Sequence, residues 1–141
     1  MMVGEGAGKA ESLSLPRAAR ITAPDEIRGL LRRGKRRKTR NLDVFISASP
    51  VPRSRIGLVV PKPRMRNSPD GKRVRGAGVQ RNRLKRRLRE IGRTEILPAL
   101  AARGRAIDVL MRARPEAYAA TFADLREDLV QLEEWMCSSV R

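Results

Sequence analysis

The side chains best placed to do chemistry lie in one stretch, residues 79–93, which reads VQRNRLKRRLREIGR. It holds Arg81, Arg83, Lys85, Arg86, Arg87, Arg89 and Arg93 against one acid, Glu90. No proton-transfer pair is present. The chemistry on offer is the binding of a polyanion: Arg presents a planar five-donor fork that matches phosphate and stacks on bases, whereas Lys is a point charge. The spacing predicts a helix. At about 100° per residue, Leu84, Leu88 and Ile91 fall on one side. Asn82, Lys85, Arg86, Arg89 and Arg93 cover much of the other, with Arg81, Arg83 and Arg87 on the flanks. Close like charges oppose a lone helix by a few tenths of a kcal/mol per pair. Packing from behind and a bound polyanion in front must offset that. Asn82 either reads a base edge or 2′-hydroxyl or caps the helix; the residues leave both open. Glu90 is expected to pair with a neighbouring Arg. The plainer reading, a solvated basic face, does not explain why the cations point one way where net charge peaks.

That peak is local. The chain has 141 residues, 32 of them basic and 15 acidic, for a net charge of +17. Residues 28–93 hold 23 of the basic residues and only Asp43, Asp70 and Glu90 as acids, a net +20. The remainder is slightly acidic. Arg supplies 26 of the 32 cations, which favours nucleic acid over simple solubility. With no His, a Ser-His-Asp triad, a Cys-His pair and a His-ligated zinc are excluded. Cys137 alone excludes an internal disulfide and fits a reducing compartment. No apolar run approaches the roughly 20 residues of a membrane helix. A cytoplasmic protein with a polyanionic partner and no membrane association is therefore expected. GEGAGKAES resembles a phosphate-binding loop but fails it, because Val3 stands at the first glycine position and Ala10 replaces the hydroxyl residue.

Around this helix the elements alternate. Residues 1–16 read as a disordered tail. PDEIRGLLRR (24–33) reads as a short helix: Pro24 and the acids Asp25 and Glu26 suit its first turn, Ile27, Leu30 and Leu31 form its stripe, and Gly34 ends it. In LDVFISA (42–48), Leu42, Val44 and Ile46 alternate with Asp43, Phe45 and Ser47, as in a half-buried strand. RIGLVV (55–60) and RAIDVLMRA (105–113) are further strands, the latter with Ile107, Val109 and Met111 on one face. Residues 64–78 form a basic loop around a Ser-Pro-Asp-Gly turn. The basic helix is expected to break at Gly92 or Pro98. Thr121 and Asp124 make an N-terminal cap. Phe122, Leu125, Leu129, Leu132 and Met136 then repeat as a core-packing stripe. The mixture predicts a single α+β domain over residues 17–137, with 138–141 as a C-terminal tail.

Arg81-Asn82-Arg83-Leu84-Lys85-Arg86-Arg87-Leu88-Arg89-Glu90 closely resembles the RNR signature helix of the bacterial ribonuclease P protein family. Arg20-Ile21 followed by Ile27-x-x-Leu30-x-x-x-Gly34 is similar to that family's first helix. Arg55 to Lys62 is similar to its strand leading to a lysine, and Ile107 to Pro115 to its last strand. The likeness covers about residues 15–136. It implies an α-β-β-β-α-β-α sandwich with a left-handed βαβ crossover, its first strand near Arg36–Arg40. It also implies a subunit of a ribonucleoprotein endonuclease that removes the 5′ leader of precursor tRNA. The chemistry would come from a catalytic RNA and its Mg2+ ions, with no catalytic residue and no metal ligand on the protein. By the same resemblance, Arg81, Asn82, Arg83, Lys85, Arg86, Arg89, Arg93 and Lys62 contact RNA. Arg20, Ile27 and Phe45 are candidates for a cleft between the first helix and the sheet that takes the leader. The partners implied are the catalytic RNA and precursor tRNA, with no obligate protein partner.

Two departures from the family pattern stand out. Ile27 occupies a position where the family usually has an aromatic, and only Phe45, Tyr118, Phe122 and Trp135 are aromatic in the whole chain. Base stacking in the cleft is thus at risk, and Phe45 is either the cleft aromatic or a core residue. The stretch after Lys62 is also longer than usual and adds Arg64, Arg66, Lys72, Arg73 and Arg75, either as phosphate contacts or as a solvated insertion. The rival reading is a non-catalytic RNA-binding protein of ribosomal or assembly-factor type. It explains the charge equally well but not the ordered match along the chain.

Overall fold

The structure, a computed structural model, describes residues 15–63 and 76–140. Five strands form one mixed sheet: β1 (Arg20–Ile21), β2 (Lys35–Lys38), β3 (Leu42–Ala48), β4 (Arg55–Val59) and β5 (Ile107–Ala113). Their order across the sheet is β1-β4-β5-β3-β2. β4 is parallel to both β1 and β5, while β3 is antiparallel to β5 and β2. The β4-to-β5 connection is the helical crossover. It consists of α2 (Ala77–Ile91), a π turn (Gly92–Ile96) and α3 (Leu97–Ala102). α1 (Pro24–Arg33) lies before β2, and α4 (Phe122–Val130) and α5 (Glu133–Ser139) close the chain.

The period-two alternation of the strands sorts residues onto two faces. On one face Val109 lies between Ile46 and Ile56, and Met111 between Val44 and Leu58. Leu84, Leu88 and Ile91 of α2 pack there with Leu100, Leu125, Leu129 and Met136. On the opposite face Arg36, Phe45, Leu110, Gly57 and Ile21 form one row across all five strands. α1 covers part of that row with Ile27, Leu30 and Leu31. Gly57 keeps the row close-packed, because a Cβ there would stand 2.9 Å from Leu110 and 3.1 Å from Ile21. The helices therefore split, α1 on one face and α2–α5 on the other, which is the α+β sandwich expected.

Local chemistry accounts for the helix ends. Pro24 opens α1, and the Gly34 N–H donates to the Leu30 carbonyl at 2.8 Å to close it. α2 starts after Gly76, which sits at φ 73°, a conformation that favours glycine. The π turn falls between the two expected break points. Pro98 has no N–H to give Thr94 and its ring crowds that carbonyl, so the chain widens by one residue before α3 resumes. Thr121 and Asp124 form the reciprocal cap of α4.

Several boundaries differ from expectation. The strand expected near Arg36–Arg40 is Lys35–Lys38, and β1 is an added edge strand that two residues are too short to announce. The final helix bends at Gln131–Leu132, and Phe122 is exposed rather than in the core stripe. α5 continues to Ser139, where the Lys35 ammonium donates to the Ser139 carbonyl at 2.7 Å, so the proposed C-terminal tail begins later. Leu15, assigned to the N-terminal tail, is buried. Of the 64–78 loop, Ala77 and Gly78 belong to α2, and residues 64–75 lie outside the described residues, as do 1–14.

Candidate nucleic-acid interface

α2 presents the basic motif as the wheel predicted, with its leucines against the sheet and its polar side outward. Asn82, Arg83 and Arg86 are exposed. The helix begins at Ala77 with Gly76 as its cap, so Asn82 is interior to the helix and the capping alternative falls away. Its amide faces solvent, where it can both donate and accept.

Three cations of the basic stretch, two of them predicted RNA contacts, are turned to internal work. Arg81 is half-buried, and its Nε donates to the Val60 carbonyl at 2.6 Å, tying α2 to the end of β4. Arg87 reaches the Ala120 carbonyl at 3.5 Å. Arg93 does not join the ridge: it pairs with Glu90 at 2.5 Å and its Nε is buried. The reason is the π turn. Arg93 lies in it rather than in α2, so the α-helical wheel no longer gives its direction. Lys62 is exposed just past β4. It follows Pro61, whose carbonyl accepts from the Tyr118 hydroxyl. Arg81 and Tyr118 thus fix the segment that carries Lys62 beside α2.

Lys85 and Arg89 border an open cleft of about 220 Å³ at the β1 edge of the sheet. Arg20, Ile21, Ile27, Ile56 and Leu58 line its other walls, and no carboxylate does. Arg20 is held by its own bond to the Leu15 carbonyl, 2.8 Å from Nε. Burial, then the nearby Arg81 and Arg89, pull the Lys85 ammonium below its usual pKa. Burial and then Arg20 do the same to Arg89. Arg20, Lys85 and Arg89 thus converge on a cleft that no carboxylate lines, an arrangement that favours an anion. A second cleft is different. A cleft of about 250 Å³ beside Arg40 and Asn41 is lined by Glu116, Asp124, Glu127 and Asp128. The cleft at α2 is thus lined by cations and the one at α4 mainly by carboxylates.

Arg20 and Ile27 line this cleft; Phe45 lies further along the same α1-covered face of the sheet, in the row it shares with Ile21. Phe45 is 4% exposed and packs under α1 with Ile27. Its ring is covered by Arg36 and Arg112, with guanidinium carbons 5.7 and 5.2 Å from the centroid. Of the two roles left open for it, the core role holds. Strand register decides this, since it sets Leu110 beside Phe45 and α1 above both. The same register exposes a set of cations that the sequence reading missed: Arg36, Lys38 and Arg112 around Asp43.

A model of the ribonuclease P family matches residues 15–136. The chain belongs to the ribonuclease P protein family. It is 36% identical over 122 residues to the ribonuclease P protein component of Acidothermus cellulolyticus, covering 84% of this chain and 88% of that one. It is 36% identical over 126 residues to that of Micrococcus luteus, covering 82% and 86%. The fold agrees with the Staphylococcus aureus RNase P protein, at TM-score 0.59 and 21% identity, covering 84% of this chain and 95% of that one. The RNase P protein of Thermotoga maritima gives 0.58 and 21%, covering 82% and 96%. As a family member the chain is a subunit of the ribonucleoprotein endoribonuclease ribonuclease P, and its partner is RNA. The ribosomal or assembly-factor alternative is not favoured. Among the described residues no helix is long and apolar enough to cross a membrane.

Proposed function

We propose that this chain grips the catalytic RNA of ribonuclease P with the outer face of α2 and receives the 5′ leader of precursor tRNA in the cleft at the β1 edge, in the cytoplasm. The observation that carries this reading is the acid-free convergence of Arg20, Lys85 and Arg89 beside the exposed Arg83 and Arg86. A phosphate backbone entering there relieves repulsion already present in the fold. It also releases its own condensed counter-ions, which drives binding and makes it salt-dependent. Lys62 and Asn82 add a further cation and a hydrogen-bonding amide along the same side.

In this reading the protein holds and orients, and supplies no nucleophile. Holding the leader limits the positions of the scissile phosphate, and restricting a reacting group in this way lowers the barrier without chemical participation. Magnesium ions bound to the RNA would activate water for the cut. Among the described residues no three His, Cys, Asp or Glu side chains cluster for a metal. The test is leader removal by the catalytic RNA at low magnesium, with and without the protein. Acceleration on adding protein is expected. Cleavage by the protein alone, or no effect on the RNA, would overturn the reading.

A further inference from the structure

A third cleft, of about 250 Å³, lies along the flank of α2 that faces away from Lys85 and Arg89. The helical period sets it there. Gln80, Arg83, Leu84 and Arg87 stand at i, i+3, i+4 and i+7 and so share one side of the helix. The facing wall is the 3-10 turn Pro115–Ala119, which supplies Ala117 and Tyr118. Leu84 and Ala117 are buried and give the cleft an apolar floor. No carboxylate lines it. Glu116, the acid of that turn, lines the cleft at α4 instead.

Tyr118 is held in place from both ends. Its hydroxyl donates to the Pro61 carbonyl, next to the Val60 carbonyl that accepts from Arg81. Its ring is half-buried against the core. Burial pushes the hydroxyl pKa up and Arg81 only partly opposes this, so the ring stays neutral. The α2 wall brings two guanidinium groups. Arg83 is exposed. Arg87 uses one nitrogen on the Ala120 carbonyl, at 3.5 Å, and keeps its other donors.

The volume limits the occupant. It falls below the roughly 300 Å³ at which drug-sized ligand sites begin, so one planar group enters and an extended ligand does not. An aromatic wall, an apolar floor and guanidinium groups at the side suit a base with its phosphate: the base lies on the ring and the phosphate takes the forks. A base inside a closed duplex cannot present its face, so the nucleotide must be unpaired. Arg83 belongs both to the cleft and to the exposed ridge, so a polymer held along the ridge passes the mouth of the cleft.

We propose that the cleft between α2 and the Pro115–Ala119 turn is a slot for one unpaired nucleotide of the catalytic RNA, its base stacked on Tyr118 and its phosphate on Arg83 and Arg87. The proposal rests on the ribonuclease P reading and deepens it. The ridge offers charge, which any polyanion satisfies. The slot adds a demand that a nucleotide stand unpaired where α2 docks, and so selects a folded RNA by its shape.

The experiment uses the full chain and the catalytic RNA alone. Affinity is measured over a salt series, and unpaired nucleotides are probed chemically with and without the protein. The unaltered chain should protect an unpaired nucleotide. Tyr118→Leu keeps apolar bulk but loses the ring. It should weaken binding about tenfold and expose that nucleotide. Its salt slope should not change, because stacking neutralises no phosphate. Tyr118→Phe keeps the ring and loses the bond to Pro61, so it should keep the protection and most of the affinity. A tyrosine that served only to anchor Pro61 would give equal losses in both variants. Arg87→Gln decides the matter if the leucine variant fails to fold: it should lower the slope by about 0.7 to 0.9 and expose the same nucleotide. Equal losses for Phe and Leu, or unchanged protection in Tyr118→Leu and Arg87→Gln, would overturn the slot. A loss that appears only when precursor tRNA is added would place the nucleotide on the tRNA and overturn the assignment. If the unaltered chain does not bind the catalytic RNA, the ribonuclease P reading itself falls; if it binds and the variants match it, only the slot falls.

Discussion

Replacing Arg83 and Arg86 together by Ala isolates the exposed part of the α2 ridge. Both are exposed and neither is placed in an internal ion pair, unlike Arg93 on Glu90 or Arg81 on the Val60 carbonyl. The leucine stripe behind them is untouched, and Ala is a better helix former than Arg, so the fold should hold. If each cation neutralises one phosphate, the slope of log affinity against log salt falls by about 0.7 to 0.9 per residue, or about 1.4 to 1.8 for the pair. Between about 50 mM and 200 mM salt, that difference shrinks the variant's deficit roughly sevenfold to twelvefold. The assay is filter binding or fluorescence titration of the catalytic RNA over that range. Arg93→Ala serves as the matched control and should leave the slope unchanged. An unaltered slope in the double variant, or an equal change in the control, would refute the assignment of this face.

Further outcomes follow from other parts of the site and its scaffold. Arg55, with its side chain 12% exposed, makes a bidentate pair with buried Asp108 at 2.9 and 2.7 Å and reaches Glu26 of α1 at 2.9 Å. Arg55→Ala strands that buried carboxylate and should cost about 3–5 kcal/mol in urea unfolding; a loss under about 1 kcal/mol would mark the pair as surface-like. Lys85 titrates below its ordinary 10.5, so RNA affinity should drop as alkaline pH passes through that lowered value. Lys85→Arg should remove the drop, and matching profiles would exclude Lys85 from the contact. Asp43 has its folded pKa depressed below 3.8, so the stability it supplies is full above that value and is lost as pH falls through the folded pKa. Asp43→Asn should flatten the acid limb of thermal unfolding there, and an unchanged limb would contradict its pairing.

The α2 helix was legible because its information is local. Leu84, Leu88 and Ile91 against Arg83, Lys85, Arg86 and Arg89 need only the helical period to separate, and the structure buries the first set and exposes or half-buries the second. Alternation in β3 and β5 was legible for the same reason, as were the Thr121–Asp124 cap and the Pro24 start of α1. β1 was not, since its two residues become a strand only by pairing with Ile56 and Gly57. Arg93 leaves the helical wheel because it lies within the π turn, whose cause, Pro98, stands five residues further on. The role of Phe45 stayed open until α1 and Leu110 were set against it.

The sequence by itself determined that a cationic helix with an apolar back sits in a small α+β domain, because charge and period are properties of neighbouring residues. Tertiary structure alone decided which cations remain available to RNA. Arg112 meets Asp43 across 69 residues of chain, and Lys85, Arg89 and Arg20 converge only when α2 lies over the β1 edge. Whether an arginine ends on a carboxylate, a carbonyl or solvent depends on strand register and helix packing, which a linear pattern does not contain.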